Sequence, residues 1–456
     1  MATAIPDIRS GAAVPGLTPE RPVVWPARTV RKLANGLQVA LVESHTIPKL
    51  SGQLLFRSGN AAADVPGLAD MTAAVVRTGT ASRSSRQIEE ELRRLGADLS
   101  TSAGADSSAI SFSGLAEFSA ELLALVADLG RNASFPAGEL ERERRHQIEA
   151  LRIERTTPGF LAGERLRKVL FGAHPYAVVS PSEEQVASYT REGLERYYRT
   201  HYAPENALLV MAGAFSAAAM LAQIEKTFAD WRALLPAAVA HPEPSRPQGR
   251  RVHLVHLPGS VQTQILLGNH AITRKHPDWF RLTLANSIFG GAFHSRLVMN
   301  IREQKGYTYN PRSSAHALRQ HGYFSVGAAV RNEVVAATLT EIFYELDRMR
   351  ALPVGEDELA DSRNYMSGVF SLGLATQSGL AGQLVVVYLN GLPEDYLETY
   401  REKIRALTAG EVLAAARRYF DSANAQIAVV GDRAQVEEQA ALFGPLTVYD
   451  AQGKVI

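Results

Sequence analysis

Residues 196–213 read RYYRTHYAPENALLVMAG, and residues 418–432 read RYFDSANAQIAVVGD. Each segment leaves an Arg-Tyr-aromatic helix end, crosses a short polar loop to an asparagine (Asn206, Asn424), and runs along an apolar strand to a glycine (Gly213, Gly431). The Asn-to-Gly spacing is the same in both. Upstream, 136-PAGELERERRHQIEA-150 pairs loosely with 353-PVGEDELADSRNYMS-367, again about half a chain away. Similar order at a similar offset predicts one domain copied once, not a short-period solenoid.

The flanking segments give each copy its class. In the first half, 37-LQVALVES-44, 51-SGQLLFRSG-59 and 107-SSAISFSGL-115 read as strands. Ser84 and Gln87 form a capping box for a helix with Ile88, Leu92 and Leu95 on one face and Gly96 as its stop. In the second half, 252-VHLVHL-257, 262-QTQILLGN-269 and 323-YFSVGAAV-330 read as strands, and 278-DWFRLTLANSIFG-290 as a helix. The expected fold is α+β: two homologous domains, each a mixed, mostly antiparallel sheet packed against helices. The boundaries expected are an extended tail over 1–27, an N-terminal domain over 28–234, a proline-rich linker over 235–250 (LPAAVAHPEPSRPQGR) and a C-terminal domain over 251–456.

Composition narrows the partners. The chain has 456 residues, 46% of them hydrophobic, which suits two cores. Its 48 Lys and Arg nearly cancel 47 Asp and Glu without a long block of one sign, which argues against a nucleic-acid or anionic-membrane surface. There is no cysteine, so disulfides, thiolate zinc sites and a cysteine nucleophile are excluded. The longest uncharged run, between Arg363 and Glu394, is broken by polar residues and glycines and fits a buried helix pair better than a membrane span. The first 27 residues lack the order of a signal peptide, which leaves the cytoplasm and, with a signal peptide already removed, the bacterial periplasm both open.

Chemistry is sparse. His253 and His256 sit three apart in a strand and point to opposite faces, and His316 and His321 flank a turn without an acidic partner in sequence, so no metal site is read. No nucleophile elbow or phosphate loop is present. In 67-GLADMTAAVVRTGT-80 a helix with Leu68, Met71 and Val75 inward presents only Asp70, Ala73 and Ala74. In 288-IFGGAFHSRLVMNIREQKGYTYNPRSS-314 a helix from about Ser295 ends at Gly306 and a strand is expected from near Tyr307. Arg302 then lies in the last helical turn and Tyr309 just inside the strand, where guanidinium and phenol can share one concavity; Arg302 also suits the helix C-terminus electrostatically.

From about residue 28 the chain resembles the pitrilysin/insulinase family of zinc metallopeptidases, in its short, mitochondrial-processing-peptidase-like branch. The resemblance rests on Gly67-Leu68-Ala69 opening a helix, Arg77 to Thr80, Leu95-Gly96-Ala97, 201-HYAPENALLVMAG-213 and 290-GGAFHSRLVMNIREQKGYTY-309. Active members carry H-x-x-E-H after G-L-A, two histidines binding zinc and the glutamate acting as base. Here Asp70 and Ala74 replace the histidines, Ala73 replaces the base, and Ala150 stands where the resemblance puts the third ligand, beside Glu149. The family's L-R-E-x-x-G-x-x-Y segment, whose Arg and Tyr contact substrate, is matched by Arg302 and Tyr309, with Ile301 in place of leucine.

The resemblance therefore implies a non-zinc-binding subunit that takes no cofactor itself. A homologous H-x-x-E-H subunit would bring the zinc, and the pair would hydrolyse peptides across a heterodimer interface. The alternative it leaves open is a catalytically inert structural or interaction protein of the same fold, like the core subunits of a respiratory complex. A glycine-rich presequence-recognising subunit is disfavoured, because 288-IFGGAFHSRL-297 is too short for that subunit's loop.

Overall fold

The computed structural model describes residues 25–233, 241, 243–244 and 246–456. The expected tail, apart from residues 25–27, and the linker positions 235–240, 242 and 245 lie outside the described residues. The strands of the first half are β1 (Arg28–Lys32), β2 (Gln38–Glu43), β3 (Lys49–Phe56), β4 (Asp98–Ala103), β5 (Ser108–Leu115) and β6 (Ala207–Gly213). Those of the second half are β7 (Arg251–His256), β8 (Gln262–Ala271), β9 (Arg312–Ala317), β10 (Gly322–Arg331), β11 (Gln426–Gly431) and β12 (Leu446–Tyr449). They form two six-stranded sheets in the orders β1-β2-β6-β3-β5-β4 and β12-β7-β11-β8-β10-β9.

The two segments that announced the duplication become β6 and β11, third in their respective sheets. Each runs parallel to one neighbour (β2, β7) and antiparallel to the other (β3, β8). Every residue of β6 and β11 is buried, which is why neither alternates polar and apolar residues. Their shared terminal glycine has a steric cause. A Cβ on Gly213 would stand 2.6 Å from Leu50 Cα, and one on Gly431 would stand 2.7 Å from the Thr263 hydroxyl. The copies differ at one rim, where β1 lies antiparallel to β2 but β12 lies parallel to β7. At the other rim β4 and β9 are free edges.

Helices in the first half are α1 (Leu68–Val76), α2 (Ser85–Leu95), α3 (Ser119–Asn132), α4 (Ala137–Glu154), α5 (Pro158–Phe171), α6 (Glu183–Ser188), α7 (Arg191–His201) and α8 (Ala217–Phe228). In the second they are α9 (Trp279–Asn286), α10 (Val335–Ala351), α11 (Glu356–Gly373), α12 (Gln377–Asn390), α13 (Tyr396–Ala406), α14 (Ala409–Tyr419) and α15 (Arg433–Ala441). The predicted capping box forms at α2, with both Ser84 and Gln87 engaged and Gly96 in the left-handed conformation behind it. The starts of α4 and α11 are separated by 219 residues (137 to 356), as are those of α5 and α12 (158 to 377).

One face of each sheet packs on helices of its own half. The other face is covered from across the molecule. Ala40, Val42, Leu55, Leu208 and Val210 of the first sheet lie under Leu380, Leu384, Val385 and Val387 of α12. Val255, Ala428 and Val430 of the second sheet lie under Leu161, Leu166, Leu170 and Phe171 of α5. The halves thus exchange equivalent helices. This exchange accounts for the apolar character of α12, while α11, bent from it by 110°, buries only Leu359, Ser362 and Ser367. Among the described residues no single helix is long and apolar enough to cross a membrane.

Candidate functional site

The bare helix comes first. Gly67 opens α1 with φ +77, and a Cβ there would lie 2.5 Å from the Tyr189 hydroxyl, so glycine is required both by backbone and by space. α1 is wedged between β4 and β5 on one side and α4 and α7 on the other. The sequence reading placed Ala73 on the presented face; it is in fact 1% exposed. A methyl group can close into that gap as a carboxylate could not. Asp70 and Ala74 are half-buried, and Ala150 and Glu149 are exposed on α4.

Asp70 accepts a hydrogen bond of 2.7 Å from Asn60 Nδ2, while Asn60 Oδ1 is buried without a partner. Burial pushes the Asp70 carboxyl up to about 6 from its ordinary 3.8. Because the folded value is the higher one, ionising Asp70 opposes the fold. Stability contributed at this position is full below its ordinary 3.8, falls as pH rises from there to about 6, and stays lower above that. Asp70→Asn supplies a permanent donor for Asn60 Oδ1 and removes the charge. It should raise stability at pH 7 by on the order of 1–2 kcal/mol, after allowance for partial exposure, and leave pH 4 nearly unchanged. Denaturant midpoints at both pH values check this, and an unaltered pH slope in the variant would count against it.

A zinc ion does not fit here. One half-buried carboxylate and two alanines provide no tetrahedral donor set. Among the described residues no group of three or more His, Asp or Glu could hold a metal. His253 is spoken for by Gln426 Oε1 at 3.2 Å and the Tyr449 hydroxyl at 3.3 Å. His321, read in the sequence as lacking an acidic neighbour, has Glu243 at 3.5 Å and the His174 ring at 5.1 Å, both brought to it from far along the chain.

The second-half segment is built differently. After α9 the chain makes a π-helical turn over Ser287–Gly291 and another over Val298–Gln304, a wider winding that often marks functional segments. Leu297, Val298 and Ile301 face inward as expected. Arg302 sits in the last turn, its guanidinium 4.7 Å from the Phe293 ring centroid and 3.2 Å from the carboxylate of its neighbour Glu303. Tyr309 is not in a strand. The strand begins at Arg312, after Pro311, whose missing N–H cannot join a ladder. Tyr309 therefore rides a loop, 87% exposed and without a hydrogen-bond partner among the described residues.

That outward pair stands on a pinned base. Arg296 grips Glu358 of α11 with two bonds of 2.8 and 2.7 Å. Asn300 Nδ2 donates to Glu341 and Glu345 of α10, each at 2.9 Å, and Glu345, itself 2% exposed, also accepts from Arg348 at 3.0 Å. Tyr307 packs against the second core. Phe293, Asn300 and Glu345 were not singled out from the sequence. The carboxylate partners sit 41 and 45 residues downstream of Asn300, so no local pattern advertises them. Asp70 and Arg302 themselves belong to helices built into separate cores.

Residues 188–366 match the model of the peptidase M16 inactive domain. The matched span includes the Arg302 and Tyr309 segment. An uncharacterized zinc protease of Bacillus subtilis, YmxG, is 23% identical to this chain over 351 residues, 76% of this chain and 80% of that protein. A Rickettsia bellii protein, likewise named an uncharacterized zinc protease, is 23% identical over 410 residues, 88% and 97% of the two chains. Among solved structures, the peptidase M16 inactive domain from Pseudomonas fluorescens superposes with a TM-score of 0.83 at 26% identity, covering 89% of this chain and 98% of that one. A protease from Helicobacter pylori superposes with a TM-score of 0.84 at 19% identity over 89% and 100% of the chains, and shares the fold. This chain thus shares its fold with a peptidase M16 inactive domain, has two sheet-and-helix halves, and carries no zinc donor set at Asp70, Ala73, Ala74 and Ala150.

Proposed function

We propose that this chain is the non-zinc-binding, M16-type subunit of a two-subunit peptide hydrolase, contributing Arg302 and Tyr309 to a site whose zinc and general base come from a homologous H-x-x-E-H subunit. The observation that carries the reading is a pair of outward polar groups on a base locked by Arg296–Glu358 and Asn300–Glu345. A purely structural descendant has no chemical need for that arrangement. In the partner, zinc supplies an activated water. In this chain the Tyr309 hydroxyl donates a hydrogen bond to the oxygen on which charge develops, and the Arg302 fork holds a neighbouring backbone carbonyl of the peptide. The free edge β9, which starts three residues beyond Tyr309, offers unpaired backbone groups to an extended peptide.

The test is peptide hydrolysis with zinc present by this chain alone, by an H-x-x-E-H homologue alone, and by their equimolar mixture. Activity confined to the mixture is expected. A mixture no faster than the homologue alone would make this chain an inert binding or structural member of the fold.

A further inference from the structure

Away from both regions described above, a cavity of about 520 Å³ opens between the β8–α9 loop, the α12–α13 loop and α13. This is within the range of small-molecule sites. Its floor is aromatic, with the Phe280 and Tyr396 rings stacked at 5.5 Å between centroids. Its rim is cationic: Arg274, Lys275, Arg281 and Lys403. Arg281 is neutralised locally by Asp278 at 2.6 Å and Glu411 at 2.9 Å. Arg274, Lys275 and Lys403 have no carboxylate within 4 Å among the described residues.

Two of these free cations are held in place. The Arg274 guanidinium lies 4.9 Å from the Trp279 ring centroid, and the Lys403 ammonium lies 5.7 Å from that of Phe280. The Tyr396 side chain lines the same cavity, is 3% exposed, and its hydroxyl makes no hydrogen bond of good geometry, although Arg274 and Trp279 lie near it. A shielded hydroxyl without a partner marks a place where a ligand atom belongs. Three uncompensated like charges around one cavity repel each other until an anion sits among them.

We infer that this cavity binds a small organic oxyanion carrying a flat or bulky apolar group, the acid seated between Arg274, Lys403 and the Tyr396 hydroxyl and the apolar part lying on Phe280 and Leu392. A planar carboxylate or a phosphate satisfies the same donors. The inference does not depend on the proposed peptidase role, since none of its residues belongs to the Arg302 and Tyr309 region.

The experiment is calorimetric titration of the full chain with N-acetyl-phenylalanine, its uncharged amide, and phenyl phosphate. At least one acid should bind, with the amide about tenfold weaker or more, since bonds to a charged acceptor carry that much of the affinity. Whichever acid binds more tightly identifies the anion. Arg274→Gln together with Lys403→Gln should weaken that acid by a similar factor at unchanged melting temperature. Tyr396→Phe should weaken it too, while leaving stability intact because the hydroxyl it removes satisfies no bond. Equal binding of acid and amide, binding of neither acid, or an acid affinity within twofold in the double variant would overturn the assignment.

Discussion

Tyr309→Phe is expected to lower kcat/KM of the proposed two-subunit enzyme by about 100-fold or more, the loss found when one preorganised donor to a developing oxyanion is removed from a dry site. The phenyl ring stays, so shape and loop packing are conserved, and the loss falls on kcat rather than KM. Arg302→Ala should cost a comparable factor but divide it between KM and kcat, because in the proposed site the guanidinium holds substrate backbone in both ground and transition states. Arg302→Lys should not rescue, since an ammonium offers neither the fork nor the flat face that rests on Phe293. Both residues are at least partly exposed and pair with nothing in the core, so melting temperatures should hold within a degree or so. Unchanged kcat/KM in a correctly assembled complex would remove both residues from the site.

Leu384→Ala should be among the most damaging single changes to stability. Its side chain is fully buried between α12 and the first sheet, and deleting such a side chain costs about 2–5 kcal/mol through lost transfer energy and the cavity left behind. What distinguishes this position from other core leucines is where the loss is felt. Leu384 belongs to the second half of the sequence, yet the strands it covers, β2, β3 and β6, belong to the first. Amide exchange should therefore quicken in Val42, Leu208 and Val210 along with α12. Protection lost only in the second half would mean that α12 does not hold the first sheet.

The sequence carried the duplication because β6 and β11 each need a fully buried strand closed by a glycine, where any Cβ would stand under 3 Å from a neighbouring strand. Local chemistry was also readable: Ser84, Gln87 and Gly96 bracket α2 as their side chains and backbone freedom dictate. The helix exchange was not. The apolar face of α12 says that something covers it, but period and composition do not name the partner, here strands more than 160 residues away in the chain, as from Val210 to Leu380. At the candidate site, Arg302 fell in the last helical turn as read, although the turn is π-wound. Tyr309 was placed one element too far along because the aromatic alternation of Tyr307 and Tyr309 imitates a strand, and Pro311 decides otherwise. Ala73 was misplaced because a small residue in a helix sandwiched on two sides has no exposed face to choose. The clamps on the Arg302 turn depend on pairing across tertiary distance, which local patterns do not encode.

The reciprocal coverage by α5 and α12 has a historical reading. A single ancestral unit, half this length, would have carried a sheet with one naked face and one helix projecting away from it. Such a unit reaches a closed core only by lending its helix to a second copy and borrowing the other's in return. Gene fusion would then have recorded that handshake in one polypeptide, after which the two copies were free to diverge while both went on completing each other's interior.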